Sequence, residues 1–172
     1  MPTRLLAPLA LLVVALLPAP AGAATRIDVE TVAQRVLNRI TAASDVPVYL
    51  PTSITIRGNG RRAFASGGAQ ATPDGWSIEL GYTRGCGGAN ACSMASFYAE
   101  RGGQAFGSRR VPLARGVVGR FQPLSCGASC SPASISFVLD GVAYSYSVKD
   151  PAGRVRPALI TLANQAIRYG PR

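Results

Sequence analysis

The sequence contains no histidine, and this absence limits the chemistry that the protein can perform. Without an imidazole, the chain cannot build a Ser-His-Asp or Cys-His nucleophile, a histidine metal site, or the two-histidine acid–base pair of many secreted ribonucleases. Lysine is nearly absent as well, because Lys149 is the only one and Tyr146 stands three residues before it, which excludes a Ser-x-x-Lys dyad. No phosphate-binding glycine loop is present. These absences favour a protein that is not an enzyme.

Acidic residues are scarce, with 8 Asp and Glu against 18 Lys and Arg. Glu79 and Glu100 are predicted on the polar side of neighbouring strands, and they are the candidate catalytic pair. A carboxylate-dependent glycan hydrolase would need two such carboxyl groups about 5–9 Å apart. The alternative is that each glutamate forms an ordinary ion pair with a surface arginine.

The positive charge of the chain is carried almost entirely by arginine, and the formal net charge is +10. Such a charge favours contact with polyanions, so an electrostatic binder of an anionic envelope polymer is one hypothesis. The arginines are scattered, however, and only Arg61-Arg62 and Arg109-Arg110 are adjacent, so no basic binding arm is present. A solvated surface that serves solubility is the alternative.

Residues 1–23 have the layout of a secretory signal peptide. Arg4 supplies the positive start, residues 5–17 are apolar, and Ala21-Gly22-Ala23 supplies the small residues of a cleavage site. The apolar run is shorter than the roughly 20 residues that a membrane span needs, and no later segment is long and apolar enough. We therefore expect a single secreted or periplasmic domain over residues 24–172, with no membrane span after cleavage. An uncleaved anchor is the alternative.

The hydrophobic pattern predicts an α+β domain. Apolar residues at helical spacing predict one helix over residues 27–43 and another over about 157–169. Alternating residues predict a strand over 76–82, and Asp140-Gly141 predicts a type I′ hairpin between strands 134–139 and 142–148. We expect one antiparallel sheet of about six strands, with the N-terminal and C-terminal helices packed on one face.

The four cysteines lie in two close pairs, Cys86 with Cys92 and Cys126 with Cys130. In an exported chain an even number of cysteines indicates disulfides, and short glycine-rich loops let the paired Cα atoms approach to about 5.5 Å. We favour the two local pairs on this geometric ground. Crossed pairs remain open, because a long ring contributes nearly 4 kcal/mol of loop entropy against about 2 kcal/mol for a local ring. Zinc ligation and a redox role are further alternatives, although the spacings differ from a zinc knuckle and from Cys-x-x-Cys. We expect no metal and no cofactor.

Several motifs occur together over nearly all of the predicted mature chain. They are Pro47-Val48-Tyr49-Leu50-Pro51, the loop Cys-Gly-Gly-Ala-Asn-Ala-Cys, the segment 111–121 with Gly116 and Gly119, and Cys-Gly-Ala-Ser-Cys-Ser-Pro before the hairpin. In this combination the chain resembles a family of uncharacterised secreted bacterial proteins with two short disulfide loops. The resemblance implies a single exported domain and carries over no catalytic residue.

The two small, rigid loops predict a ligand-binding edge. Candidate contacts are Arg84, Asn90, Ser93 and Ser129, and the alternative is that these are solvated loop residues. The sequence thus favours a non-enzymatic envelope or extracellular domain that binds an unknown ligand. The partner would be an anionic cell-envelope polymer or another envelope protein.

Overall fold

A computed structural model describes residues 23–58, 60–65, 69–86 and 89–172. The predicted signal peptide lies outside the described residues, except for Ala23. The described chain has an α+β fold, as predicted, with α1 at Val29–Ala43 and α2 at Val155–Tyr169. The strands are β1 (Ala24–Asp28), β2 (Ser53–Arg57), β3 (Phe64–Ala65), β4 (Gln70–Thr72), β5 (Gly75–Gly81), β6 (Ser93–Arg101), β7 (Arg109–Pro112), β8 (Val118–Gln122), β9 (Ser125–Cys126), β10 (Cys130–Ser131), β11 (Ser134–Leu139) and β12 (Val142–Val148).

The main sheet is antiparallel in every described strand pair and has eight strands, where the sequence predicts about six. Its order is β3-β5-β6-β12-β11-β8-β7, and β4 also pairs with β5. One reason is that the glycine-containing segment 62–72, which the sequence predicts as a single weak strand, contributes two short strands, β3 and β4, to the same edge. Two small ribbons, β1 with β2 and β9 with β10, lie outside this sheet.

The first helix is not at the start of the domain, which corrects the prediction. Residues 24–28 form β1, and Ile27 pairs with Ile54 of β2. The helix begins only after Asp28, whose side chain accepts a hydrogen bond of 2.7 Å from the backbone N–H of Thr31. Because this bond satisfies one of the unpaired donors of a helix start, Asp28 is the N-cap of α1.

The predicted hairpin is confirmed in its register. Leu139 lies opposite Val142, and Ile135 lies opposite Tyr146. Asp140 and Gly141 have φ angles of 51° and 76°, as a type I′ turn requires. This turn holds β11 and β12 at the centre of the main sheet.

The core lies on the apolar face of the main sheet. Its largest side chains are buried aromatic residues on the central strands, and they contact one another with ring centroids 5.3–6.3 Å apart. They are Trp76, Phe97, Phe137, Tyr144 and Tyr146. Buried residues of α1 and α2 belong to the same hydrophobic cluster. The helices and this face of the sheet therefore share one core.

Four residues in or next to the motif Pro47-Val48-Tyr49-Leu50-Pro51, namely Val46, Val48, Tyr49 and Leu50, are buried in this core, whereas Pro47 is exposed. The Tyr146 hydroxyl donates a hydrogen bond of 2.9 Å to the carbonyl of Tyr49, and the Tyr144 hydroxyl donates one of 3.0 Å to the carbonyl of Pro47. The indole N–H of Trp76 donates to the same Pro47 carbonyl at 3.3 Å. These bonds satisfy the carbonyls of a buried loop, so the motif has a structural role here. Burial raises the pKa of both Tyr144 and Tyr146 above the ordinary tyrosine value.

Candidate functional site

The two predicted local disulfides are present, and they account for all four cysteines. Cys86 is bonded to Cys92 with their Cα atoms 5.5 Å apart, and Cys126 is bonded to Cys130 with their Cα atoms 4.0 Å apart. Each disulfide closes a short loop, which we call the first and the second disulfide loop. The crossed pairings and the zinc alternative are therefore wrong for this structure.

A cleft of about 330 Å³ lies between the two disulfide loops. Met94, Ala133 and Val148 are buried residues of its lining. Leu124, which is 63% exposed, and Val155 add apolar surface where the cleft meets solvent. The cleft is therefore apolar over most of its surface, as small-molecule sites generally are.

Regular structure fixes the position of this cleft. Strand β6 begins at Ser93, directly after the first disulfide loop, and the backbone N–H of Lys149 donates to the Met94 carbonyl at 2.9 Å. The hydroxyls of Ser96 and Ser147 are hydrogen-bonded at 2.7 Å across β6 and β12. The cleft therefore lies at the end of the β6–β12 pair, on backbone that the main sheet holds rigidly.

Lys149 is the only positively charged residue among the described residues that line the cleft. Its ammonium donates a hydrogen bond of 2.7 Å to the carbonyl of Asn90, in the first disulfide loop. A lysine ammonium has three donors, and this bond uses one of them. Together with Asn90, Ser93 and Ser147, Lys149 gives the cleft a small polar region beside its apolar walls. This arrangement suits a ligand with an apolar body and a hydrogen-bond acceptor or anionic group.

The structure brings together two of the four predicted contact residues. Asn90 and Ser93 line the cleft. Ser129 lies in the exposed second disulfide loop, where its carbonyl accepts a hydrogen bond from Gly127, and it is not in the lining. Arg84 lies elsewhere, with its guanidinium 5.1 Å from the ring centre of Phe64.

Sequence reasoning missed Lys149, Ser147 and the apolar walls. The available signal was that Lys149 is the only lysine and follows the strongest predicted strand. The hydrogen bond from Lys149 to the Asn90 carbonyl joins residues that are 59 positions apart in the sequence. No local pattern in the sequence indicates such a contact.

The predicted carboxylate pair does not share a cleft. Glu79 lies opposite Ser96, whereas Glu100 lies opposite Gly75, so the two are four residues apart in register. That offset is about 14 Å along the strands, against the 5–9 Å between the carboxyl groups of a glycosidase. Glu100 lines a different cleft of about 590 Å³, together with Asp74, and Glu79 does not line it.

Each glutamate has a different environment. One carboxylate oxygen of Glu79 is shielded from solvent and has no hydrogen-bond partner among the described residues. Glu100 is exposed, and a hydrogen bond to its carboxylate raises the pKa of the Tyr98 hydroxyl. The carboxylate that shares a cleft with Glu100 is therefore that of Asp74, which is paired with Arg101 at 3.4 Å, and not that of Glu79.

Within residues 23–172, excluding the six internal positions that are not described, no three His, Cys, Asp or Glu side chains are grouped as metal ligands would be. In the same part of the chain, neither helix is long and apolar enough to cross a membrane.

No protein-family model, curated protein or solved structure matches this chain. The resemblance to secreted bacterial proteins with two short disulfide loops therefore stays a prediction from the motifs.

Proposed function

We propose that the protein is an exported, disulfide-stapled domain of the cell envelope or extracellular space, and that it acts as a non-enzymatic binding module. The observation that carries this proposal is the cleft of about 330 Å³ between the two disulfide loops. The volume falls at the lower end of the range of small-molecule sites, about 300–1,000 Å³.

Export is supported by two independent features. Disulfides persist in oxidising compartments and are rare in the cytosol. Residues 1–23 have the pattern of a signal peptide, and β1 begins at Ala24, directly after the predicted cleavage site. Cleavage there would leave the pairing of Ala24 with Arg57 intact.

A binding role, rather than catalysis, is supported by the polar groups that line the cleft. They are the Lys149 ammonium, the Asn90 amide and the hydroxyls of Ser93 and Ser147. These groups can position a ligand, but a lysine or serine without a general base beside it is a weak nucleophile. The ligand that fits has an apolar portion for Met94, Leu124 and Val155, and an acceptor or anionic group for Lys149. Such a ligand could be a small molecule or a side chain of another envelope protein.

The proposal is tested with anilinonaphthalene sulfonate, a fluorescent probe that combines apolar rings with an anionic group. The informative variant is Leu124→Ser, because Leu124 lines the cleft and is 63% exposed, so its removal should not disturb the core. Loss of about 1 kcal/mol of apolar contact weakens binding about fivefold. The matched control is Val138→Ser, which removes an apolar side chain that is 41% exposed on β11 and does not line the cleft.

Three results would contradict the proposal. Equal binding by the wild type and Leu124→Ser, or equal weakening by Val138→Ser, would show that the probe does not occupy the cleft. A glycan hydrolase activity of the purified protein that is abolished by Glu79→Gln would show that the protein is an enzyme.

A further inference from the structure

A second concave surface, lined by three arginines, lies between α1 and the edge strand β3. It has a volume of about 510 Å³, and we call it the basic groove. Arg35 and Arg39 enter it from α1, and Arg84 enters it from the turn after β5. Thr31 adds a hydroxyl at one end of the lining. None of these residues lines the cleft between the disulfide loops.

The secondary structure concentrates positive charge in this groove. Arg35 and Arg39 are four residues apart on α1, so they project from the same side of the helix about 6 Å apart along its axis. Like charges at this spacing repel each other and destabilise the helix. The guanidinium of Arg84 is held over the ring of Phe64, at 5.1 Å from the ring centre. This cation–π contact orients the third charge before any ligand arrives.

The positive charge is not compensated by nearby carboxylates. All eight acidic residues of the chain are in the described part, and none of them lines the groove. The ion pairs of the described residues, Arg101 with Asp74 and Arg172 with Glu30, use other arginines. Asp28, which is close in sequence, is engaged as the N-cap of α1. An anion in the groove would therefore relieve the repulsion between the arginines.

The aromatic residues at this side of the molecule are already covered by arginines. Arg84 lies over Phe64, and Arg61 lies over Tyr82 at 4.9 Å from the ring centre. Proteins that bind single-stranded nucleic acid stack bases on open aromatic faces. Here the available groups are guanidiniums, which match the geometry of phosphate oxygens with paired N–H donors. This combination favours recognition of phosphate groups and not of bases.

We propose that the basic groove binds successive phosphate groups of a polyanionic polymer, as a second site that is independent of the cleft. Arg35 and Arg39 contact neighbouring phosphates along the polymer, and Arg84 contacts one of them from the opposite wall. The interaction is electrostatic, so its affinity must fall with salt in proportion to the number of arginines in contact.

The test uses long-chain inorganic polyphosphate with a fluorescent label, and the anisotropy of the label reports binding to the full oxidised protein. Three contacts with a flexible polyanion give a slope of log affinity against log salt of about −2, or about a 20-fold loss between about 50 and 200 mM salt. The variant Arg35→Gln/Arg39→Gln should weaken binding at least tenfold at the lower salt concentration. It should also reduce the slope by about 1.4, because two of the three contacts are gone.

The matched control is Arg154→Gln/Arg156→Gln, which lowers the net charge by the same amount at the start of α2, outside the groove. It should weaken binding no more than about threefold, through the general field of the protein. All of these arginines are exposed, so thermal unfolding should confirm that both double variants stay folded.

Three results would overturn the proposal. Equal loss of affinity in the groove variant and the control would show that only net charge matters. Tighter binding to a single-stranded oligonucleotide of equal charge, with a preference for some bases, would indicate a nucleic-acid site. Tighter binding to vesicles of phosphatidylglycerol and phosphatidylcholine in equal parts would indicate a membrane surface. Because none of these results involves the cleft, failure of this proposal leaves the binding-module proposal standing.

Discussion

Replacing Tyr146 with phenylalanine should lower the unfolding free energy at neutral pH and make that free energy less dependent on pH in the alkaline range. The Tyr146 hydroxyl is fully buried and donates a hydrogen bond of 2.9 Å to the Tyr49 carbonyl, which is also buried. Tyr146→Phe removes this donor and leaves the carbonyl unpaired in the core, which costs about 1–3 kcal/mol of unfolding free energy. Tyr169→Phe is the control, because Tyr169 is 64% exposed, and it should change stability by less than about 0.5 kcal/mol.

The alkaline effect follows from the direction of the pKa change. Burial raises the pKa of Tyr146 well above its ordinary value of 10.0, so the folded protein keeps a proton that the unfolded chain releases. The stabilising contribution of this group is therefore complete below about pH 10 and is lost as the pH rises above it. At about pH 11, ionisation of this tyrosine in the unfolded chain lowers the unfolding free energy by about 1.4 kcal/mol relative to its value at neutral pH.

The measurement is urea unfolding between about pH 7 and pH 11, followed by the fluorescence of Trp76, the single tryptophan, whose ring centre is 6.3 Å from that of Tyr144. Between these pH values the wild type should lose about 1.4 kcal/mol more unfolding free energy than Tyr146→Phe. Equal losses in the two proteins would refute the argument, because they would show that the Tyr146 hydroxyl is not shielded in the folded state.

Three further predictions concern the loops and the helix start. Gly81→Ala should destabilise the protein by about 1–3 kcal/mol, because a Cβ at this position would lie 2.5 Å from the Cβ of Cys86. The control is Gly85→Ala, whose added Cβ would meet no atom within 4 Å. Comparable melting temperatures for the two variants would contradict the prediction. Replacing both Cys126 and Cys130 with serine should cost about 2 kcal/mol of loop entropy in thermal unfolding without reductant, and an unchanged melting temperature would refute a closed loop in the wild type. Asp28→Ala should cost about 1 kcal/mol of unfolding free energy near neutral pH. Because hydrogen bonds from Thr31 lower the pKa of Asp28, the difference from wild type should shrink as the pH falls below about 4, and a constant difference would argue against the N-cap.

The sequence predicted the parts of the fold that short-range rules determine. Asp140-Gly141 favours a tight turn with positive φ angles, and a two-residue loop then fixes which residues of β11 and β12 face each other. The local disulfides were also predictable from nearby residues, because glycine-rich loops of this length can bring their two ends together. These predictions were confirmed because few residues decide them.

The predictions that were wrong concern residues whose role depends on distant partners. In the sequence, Ile27 continues the apolar stripe of α1, so it is predicted to be helical. In the structure it is buried in β1 opposite Ile54, because the pairing of β1 with β2 makes these residues a strand. The segment 62–72 has too few large side chains to indicate where strands begin. Its two short strands, β3 and β4, exist because β5 offers a free edge.

The candidate site was predictable only in part, for the same reason. Asn90 and Ser93 were identified from the first disulfide loop alone. Lys149 reaches Asn90 because β12 pairs with β6 in the main sheet. This pairing joins segments about 50 residues apart in the sequence, and the predicted hairpin does not imply it. The basic groove likewise joins α1 with a turn that follows β5, so no run of arginines in the sequence indicates it.

We propose that this chain is exported and that its two locally closed disulfide loops frame a cleft. The most direct measurement is peptide mapping by mass spectrometry, with and without reduction, on protein recovered from its native compartment. We expect a chain that begins at Ala24, with Cys86 linked to Cys92 and Cys126 linked to Cys130. Four free thiols, or a link from Cys86 to Cys126, would contradict it.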